Sequence, residues 1–216
     1  MKKMQERARI TVPLGGVDFL LPGESLGIGY QGSMGLPISV FERLFLASRG
    51  RLLRVRSPKD LVGLVSIRSK EQALRYARLF TSPATVRALS PAVEGGSGER
   101  WLEVVSVDMV DSAFVFGRAE YLKELRQVDR RSRYRAYGVL SEEEWRRNAL
   151  AAPVVRRTTG GFLVTRFLFT VDEYTDFEAR TVHRVSETIS ADGRLQRRTL
   201  ESKKLTGTVL VVWPEE

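Results

Sequence analysis

The chain has 216 residues, 43% of them hydrophobic, 28% charged and 9% aromatic, the composition of a folded globular protein and not of a disordered tail. It contains no cysteine and one histidine, His183, which excludes disulfides, thiolate nucleophiles, iron–sulfur clusters and cysteine-ligated zinc, and most histidine-based metal and acid–base arrangements as well. The net charge of +9 favours anionic partners, nucleic acid among them, although a compositional preference for arginine produces the same charge with no function attached.

In chain order, the first notable stretch is LGIGYQGSMG at 26–35, where Gly27, Gly29 and Gly32 fall on the spacing G-x-G-x-x-G. A pyrophosphate loop needs a strand running into the first glycine and a helix starting at the last. Here Pro22, Gly23, Glu24 and Ser25 intervene upstream, Gly35 and Pro37 intervene downstream, and no acid lies between Glu42 and Asp60 to take a ribose hydroxyl. The expectation is a strand in which the glycines let a backbone or a bulky ring pack close. No cofactor and no metal site is expected.

Three serines stand three residues before a Glu or Gln, the pattern of a capping box: Ser39 with Glu42, Ser69 with Gln72, and Ser141 with Glu144. The first predicts a helix over 40–49, with Val40, Phe41, Leu44 and Phe45 as its apolar stripe and Gly50 as its stop. The second predicts a helix carrying Ala73, Tyr76, Ala77 and Phe80 up to Ser82. The third predicts a helix with acids in its first turn and arginines behind them, as the helix dipole prefers. A fourth helix is expected over 119–127.

Between these elements the segment 90–99, SPAVEGGSGE, reads as a flexible loop within a single domain spanning 1–216. Two basic clusters flank it. Arg49, Arg51, Arg54, Arg56 and Lys59 alternate with apolar residues on a candidate strand. From 118 to 135, seven cations meet three acids, and Arg126, Arg130, Arg131, Arg133 and Arg135 with Tyr134 form a candidate nucleic-acid surface, because arginine beside aromatics can hold phosphates and stack on bases. Neither cluster matches a known nucleic-acid module.

The last third reads as sheet. The run FLVTRFLFTV at 162–171 and TVLVVW at 208–213 are rich in aromatic and β-branched residues. Between them, Asp192-Gly193 predicts a two-residue type I′ hairpin turn, placing Glu187 opposite Arg198, Val185 opposite Leu200, Arg184 opposite Glu201, and His183 opposite Ser202. His183 with a carboxylate near Asp176 is an alternative catalytic pair.

Together these features predict an α+β fold: a C-terminal antiparallel sheet of four to five strands packed against helices from the N-terminal two-thirds. No run approaches the roughly 20 apolar residues of a membrane span, and the cysteine-free composition is consistent with a reducing cytoplasm. Three functional readings stand. The first is a non-enzymatic binding or assembly protein, engaging a macromolecular partner or its own copy through a sheet surface or basic face. The second is a nucleic-acid-binding protein using the arginine clusters. The third is a hydrolase or transferase using His183 and Asp176.

Overall fold

The computed structural model describes residues 9–31, 41–82, 100–106, 134–135, 139–171 and 178–211. Over these the chain is mostly antiparallel sheet, with two described α-helices.

An N-terminal meander of four antiparallel strands, β1 (Arg9–Pro13), β2 (Ser25–Gln31), β3 (Phe41–Ser48) and β4 (Arg51–Arg54), pairs in the order β1-β2-β3-β4. The glycine stretch is therefore a central strand, as its flanks predicted. Gly27 stands opposite Pro13 on one side and Phe45 on the other, and Gly29 opposite Ile10 and Arg43, so a bare position lies beside a buried aromatic ring. Gly32 lies outside the described residues. Leu26, Ile28, Leu44 and Leu46 turn to the other side and enter the main core.

The predicted helix over 40–49 is corrected to strand β3. Its apolar residues fit a helical stripe, but Leu44 and Leu46 fill one face of the sheet while Arg43 and Phe45 are buried on the other. A strand covered on both sides loses the alternation that distinguishes it from a helix. Ser39, the expected cap, lies outside the described residues. Arg49 and Gly50, read as a helix end, form instead the two-residue loop joining β3 to β4, with φ of 47° and 74°, the conformation of a type I′ turn.

A 3-10 turn at Pro58–Leu61 leads to helix α1 (Lys70–Leu79). Its serine cap forms as the sequence predicts, Ser69 Oγ accepting the Gln72 amide at 3.1 Å, while Gln72 Oε1 reaches one residue further, to the Arg68 amide at 2.8 Å, in place of the Ser69 amide a capping box would use. The third predicted cap is also present, at helix α2 (Glu142–Arg147), where the Ser141 and Glu144 side chains bond each other's backbone amides. The helix expected at 119–127 and the loop at 90–99 lie outside the described residues.

The second sheet has six strands where four to five were expected. The central path is β5 (Arg100–Glu103), β10 (Gly161–Val171), β11 (Glu178–Ser190), β12 (Leu195–Val211) and β7 (Tyr134–Arg135), with β9 (Val154–Thr158) pairing the first half of β10 on the edge that β5 takes further along. The β12–β7 pair is parallel, as is a short pair of β6 (Val105–Ser106) with β8 (Val139–Leu140). The run at 208–213 forms the end of β12 as far as Val211, and its last residues lie outside the described set.

The β11–β12 register divides the hairpin prediction. Arg184 faces Glu201 and His183 faces Ser202, as expected. Nearer the turn, Glu187 faces Arg197 and Val185 faces Thr199, one residue out from the predicted pairing. The loop has three residues, Ala191, Asp192 and Gly193, with Ile189 opposite Leu195. The Gly193 amide donates to Ser190 O at 3.1 Å and Gly193 sits at φ 90°, a turn followed by a left-handed glycine. A bulge at Leu200 restores the register beyond it. Ser190 Oγ, accepting from the Arg194 amide at 2.9 Å, favours the longer loop.

The tip of this hairpin is gripped by the N-terminal half. The Gly63 and Ile67 amides donate to Asp192 O and Ala191 O at 2.8 and 2.9 Å, and Tyr76 Oη donates to Gly193 O at 2.6 Å. One apolar cluster accordingly draws on the N-terminal sheet, α1, and Phe162, Val164 and Ile189 of the second sheet. A second, with Leu102, Leu140, Leu150, Phe169, Val182 and Leu205, lies at the other end of that sheet beside Trp145 of α2.

Candidate binding site on the C-terminal sheet

Residues directly opposite in an antiparallel ladder share a face, so the register assigns each side chain of the second sheet to one of two sides. Phe162, Val164, Arg166, Leu168 and Thr170 of β10 share a face with Ile189, Glu187, Val185, His183 and Thr181 of β11. Helix α1 packs on this side at the hairpin end.

Beneath α1 runs a chain of buried charges that alternate in sign. Arg78 Nε donates to Glu103 at 3.0 Å; Arg166 donates to Glu103 at 2.9 Å and to Glu187 at 2.7 and 3.1 Å; Arg197 donates to Glu187 at 2.8 Å. Arg166 also donates to Thr81 Oγ1 and to Ala77 O at the end of α1. Burial disfavours the Glu187 carboxylate, yet Arg166 and Arg197 outweigh it and hold the group below its ordinary value. Burial would likewise depress Arg166, but Glu187 and Glu103 raise it above its ordinary value. Both stay charged because each has fork-shaped hydrogen bonds to opposite charge.

The chain ends at the surface on an aromatic pair. The Arg197 guanidinium lies 5.3 Å from the Trp101 ring centre, and the His183 ring meets Trp101 edge-on at 5.1 Å. His183 Nε2 is 3.2 Å from Thr170 Oγ1, and Nδ1 is 2.7 Å from Ser202 Oγ. This places the imidazole half-buried on a sheet face, between two hydroxyls. Asp176, its expected carboxylate partner, lies outside the described residues.

Among the described residues, the other face of the sheet is covered at its far end, where α2 and the second cluster pack on Phe169, Val182 and Leu205. Toward the hairpin it is open. Three rows cross it: Arg156, Leu163, Thr188 and Gln196; Val154, Thr165, Ser186 and Arg198; Phe167, Arg184 and Glu201. Arg156, Arg184 and Arg198 are exposed, and none forms an ion pair among the described residues, while Thr165, Ser186 and Thr188 set hydroxyls between them. Glu201 is the one acid in these rows. Arg184 and Arg198 stand in adjacent rows on neighbouring strands, on either side of the Leu200 bulge.

Of the cluster singled out in the sequence, Arg126, Arg130, Arg131 and Arg133 lie outside the described residues. Tyr134 and Arg135 form β7, paired with Leu210 and Val211. Arg51 and Arg54 are on β4, as expected of a strand, and Arg49 is in its turn. Among the described residues, no group of three histidine or acidic side chains converges on a metal site, and no helix is long and apolar enough to cross a membrane. Sequence reasoning missed both the buried charge chain and the open arginine face. The signal for the first was Arg166, a lone cation inside an apolar run; the second depended on β9 and on the register.

The chain matches no family model, no curated protein and no solved structure.

Proposed function

We propose that the protein is a non-enzymatic binding protein that engages an anionic macromolecular partner through the open face of its C-terminal sheet. The observation that carries this reading is the trio Arg156, Arg184 and Arg198, exposed on one face with no internal counter-charge beyond Glu201. Arg78, Arg166 and Arg197 are ion-paired in the buried chain, as are Arg146 and Arg147 on α2, Arg75 with Asp18 and Arg194 with Asp192. Arg49, Arg51, Arg56, Arg68 and Arg157 are exposed without an ion pair among the described residues, but they lie outside these three rows. An unpaired cationic surface on a protein of net charge +9 attracts anions and steers their approach. A second copy docked through the same face is disfavoured, because a two-fold contact would bring like charges together.

The test is the binding of a fluorescent polyanion, heparin, to the wild-type protein and to R156E/R184E/R198E. The reading expects binding that weakens with salt and is lost in the variant. Equal binding by both proteins sinks it.

The 2.7 Å contact of His183 with Ser202 favours a second reading, a hydrolase or transferase in which the imidazole activates the serine hydroxyl. Its support is limited to that contact: β11 is paired on both sides at His183, which engages the strand amides that would otherwise stabilise an oxyanion. Ester hydrolysis lost in both S202A and H183A is the result this reading requires.

A further inference from the structure

We infer that the open face binds the phosphodiester backbone of single-stranded nucleic acid without reading its bases. The inference rests on the proposed binding function and names its partner class. Three features of the face decide between an acidic protein and a nucleic acid.

First, a protein interface takes most of its energy from an apolar or aromatic centre that is fully desolvated. Here the largely exposed apolar side chains stand at the margins, Val154 on β9 and the bulged Leu200 on β12, at 48% and 49% exposure. The middle sets Thr165, Ser186 and Thr188 around Leu163 and Phe167, which are half-buried and so are not a fully exposed apolar centre. Second, guanidinium forks and hydroxyl donors are what phosphate oxygens accept from, and such contacts position a nucleic acid while carrying no sequence information. Third, among the described residues the face is a strand ladder with no helix or ribbon rising from its open rows to enter a duplex groove, whereas a single strand can lie across it. Phe167, the one aromatic in the rows, is half-buried under the Lys203 ammonium, 5.4 Å from its ring centre, so base stacking is not the source of affinity.

The experiment is fluorescence anisotropy at low salt with a labelled oligo-dT, a labelled mixed-sequence oligonucleotide of the same length, and labelled polyglutamate matched in charge. The proteins are wild type, R156A/R184A/R198A, and R146A/R147A, which removes exposed arginines from α2 instead. The inference expects both oligonucleotides to bind alike and polyglutamate to bind at least about tenfold more weakly. It expects a log–log salt slope of about −2, from three phosphates at about −0.7 each. The triple variant loses about tenfold or more and R146A/R147A changes little. Polyglutamate binding as tightly as the oligonucleotides overturns the inference and leaves the anionic-partner function standing. Unchanged oligonucleotide binding by the triple variant, or no binding of either polymer to wild type, overturns both.

Discussion

Arg166 stands opposite Val185 in the β10–β11 ladder but sends its Nε diagonally to Glu187 Oε2, 2.7 Å away, and neither side chain has any exposed surface. The pair is the centre of a five-residue chain of alternating charge, and its consequence is asymmetric. A buried ion pair adds little net stability over apolar residues of the same volume, whereas removing one partner strands the other charge in a low dielectric. Arg166→Met leaves Glu187 and Glu103 short of a shared cation and is expected to cost about 3 to 5 kcal/mol in urea unfolding. A loss below about 1 kcal/mol contradicts the buried geometry.

The same chain sets a pH dependence. The Glu187 carboxyl is held below its ordinary value of 4.5 by Arg166 and Arg197, against the opposing effect of burial. A group whose folded value is depressed contributes stability that is complete above its unfolded value and is lost as pH falls through the folded value. Stability is therefore expected to decline on acidification below about pH 4.5, and Glu187→Gln is expected to flatten that decline while lowering stability at neutral pH. The measurement is the urea midpoint of both proteins from neutral pH down to acid. An equally steep acid decline in the variant assigns the dependence to other groups.

At the hairpin tip, Tyr76 Oη donates to Gly193 O, and a Cβ on Gly193 would collide with Val65 Cγ2 at a φ of 90°. Tyr76→Phe leaves a buried carbonyl without that donor, at a cost of about 1 to 3 kcal/mol. Gly193→Ala adds a steric clash to an unfavourable backbone and is expected to be the more damaging of the two. Thermal unfolding ranks them, and a Gly193→Ala protein with unchanged Tm contradicts the packing of the tip against 63–67.

The β3–β4 turn offers a direct check on the strand that replaces the predicted helix. Arg49 at φ 47° followed by Gly50 uses a residue poorly suited to the first position of a type I′ turn, where asparagine is preferred. Arg49→Asn is expected to raise stability by a few tenths of a kcal/mol to about 1 kcal/mol. Gly50→Ala lowers it. In a helix ending at Gly50, asparagine at 49 would bring no gain.

Legibility followed the range of the interactions. Ser69 with Gln72 and Ser141 with Glu144 are local devices, and both helix starts formed where the sequence placed them. The glycine strand was readable because its flanks contradict a phosphate loop. Residues 41–48 misled because a strand buried on both faces shows no alternation, and the partner that makes it a strand, β2, contributes glycines with no side-chain signal. The hairpin was half legible: of the two expected charge pairs, Arg184 with Glu201 formed, and His183 with Ser202 beside it, while Glu187 met Arg197 instead of Arg198, because the choice between a two-residue and a three-residue loop depends on Ser190 and on the grip of Gly63, Ile67 and Tyr76. The candidate face was hidden for the same reason, since Arg156, Arg184 and Arg198 come from three strands.

Amide chemical-shift mapping, as a polyanion is titrated into labelled protein, decides whether those three arginines form the binding surface. The largest shifts are expected on β9, the first half of β10, and β11–β12 around Arg156, Thr165, Ser186 and Arg198, with α1 and the N-terminal sheet unmoved. Shifts confined to the 118–135 segment, with that sheet face silent, would contradict it.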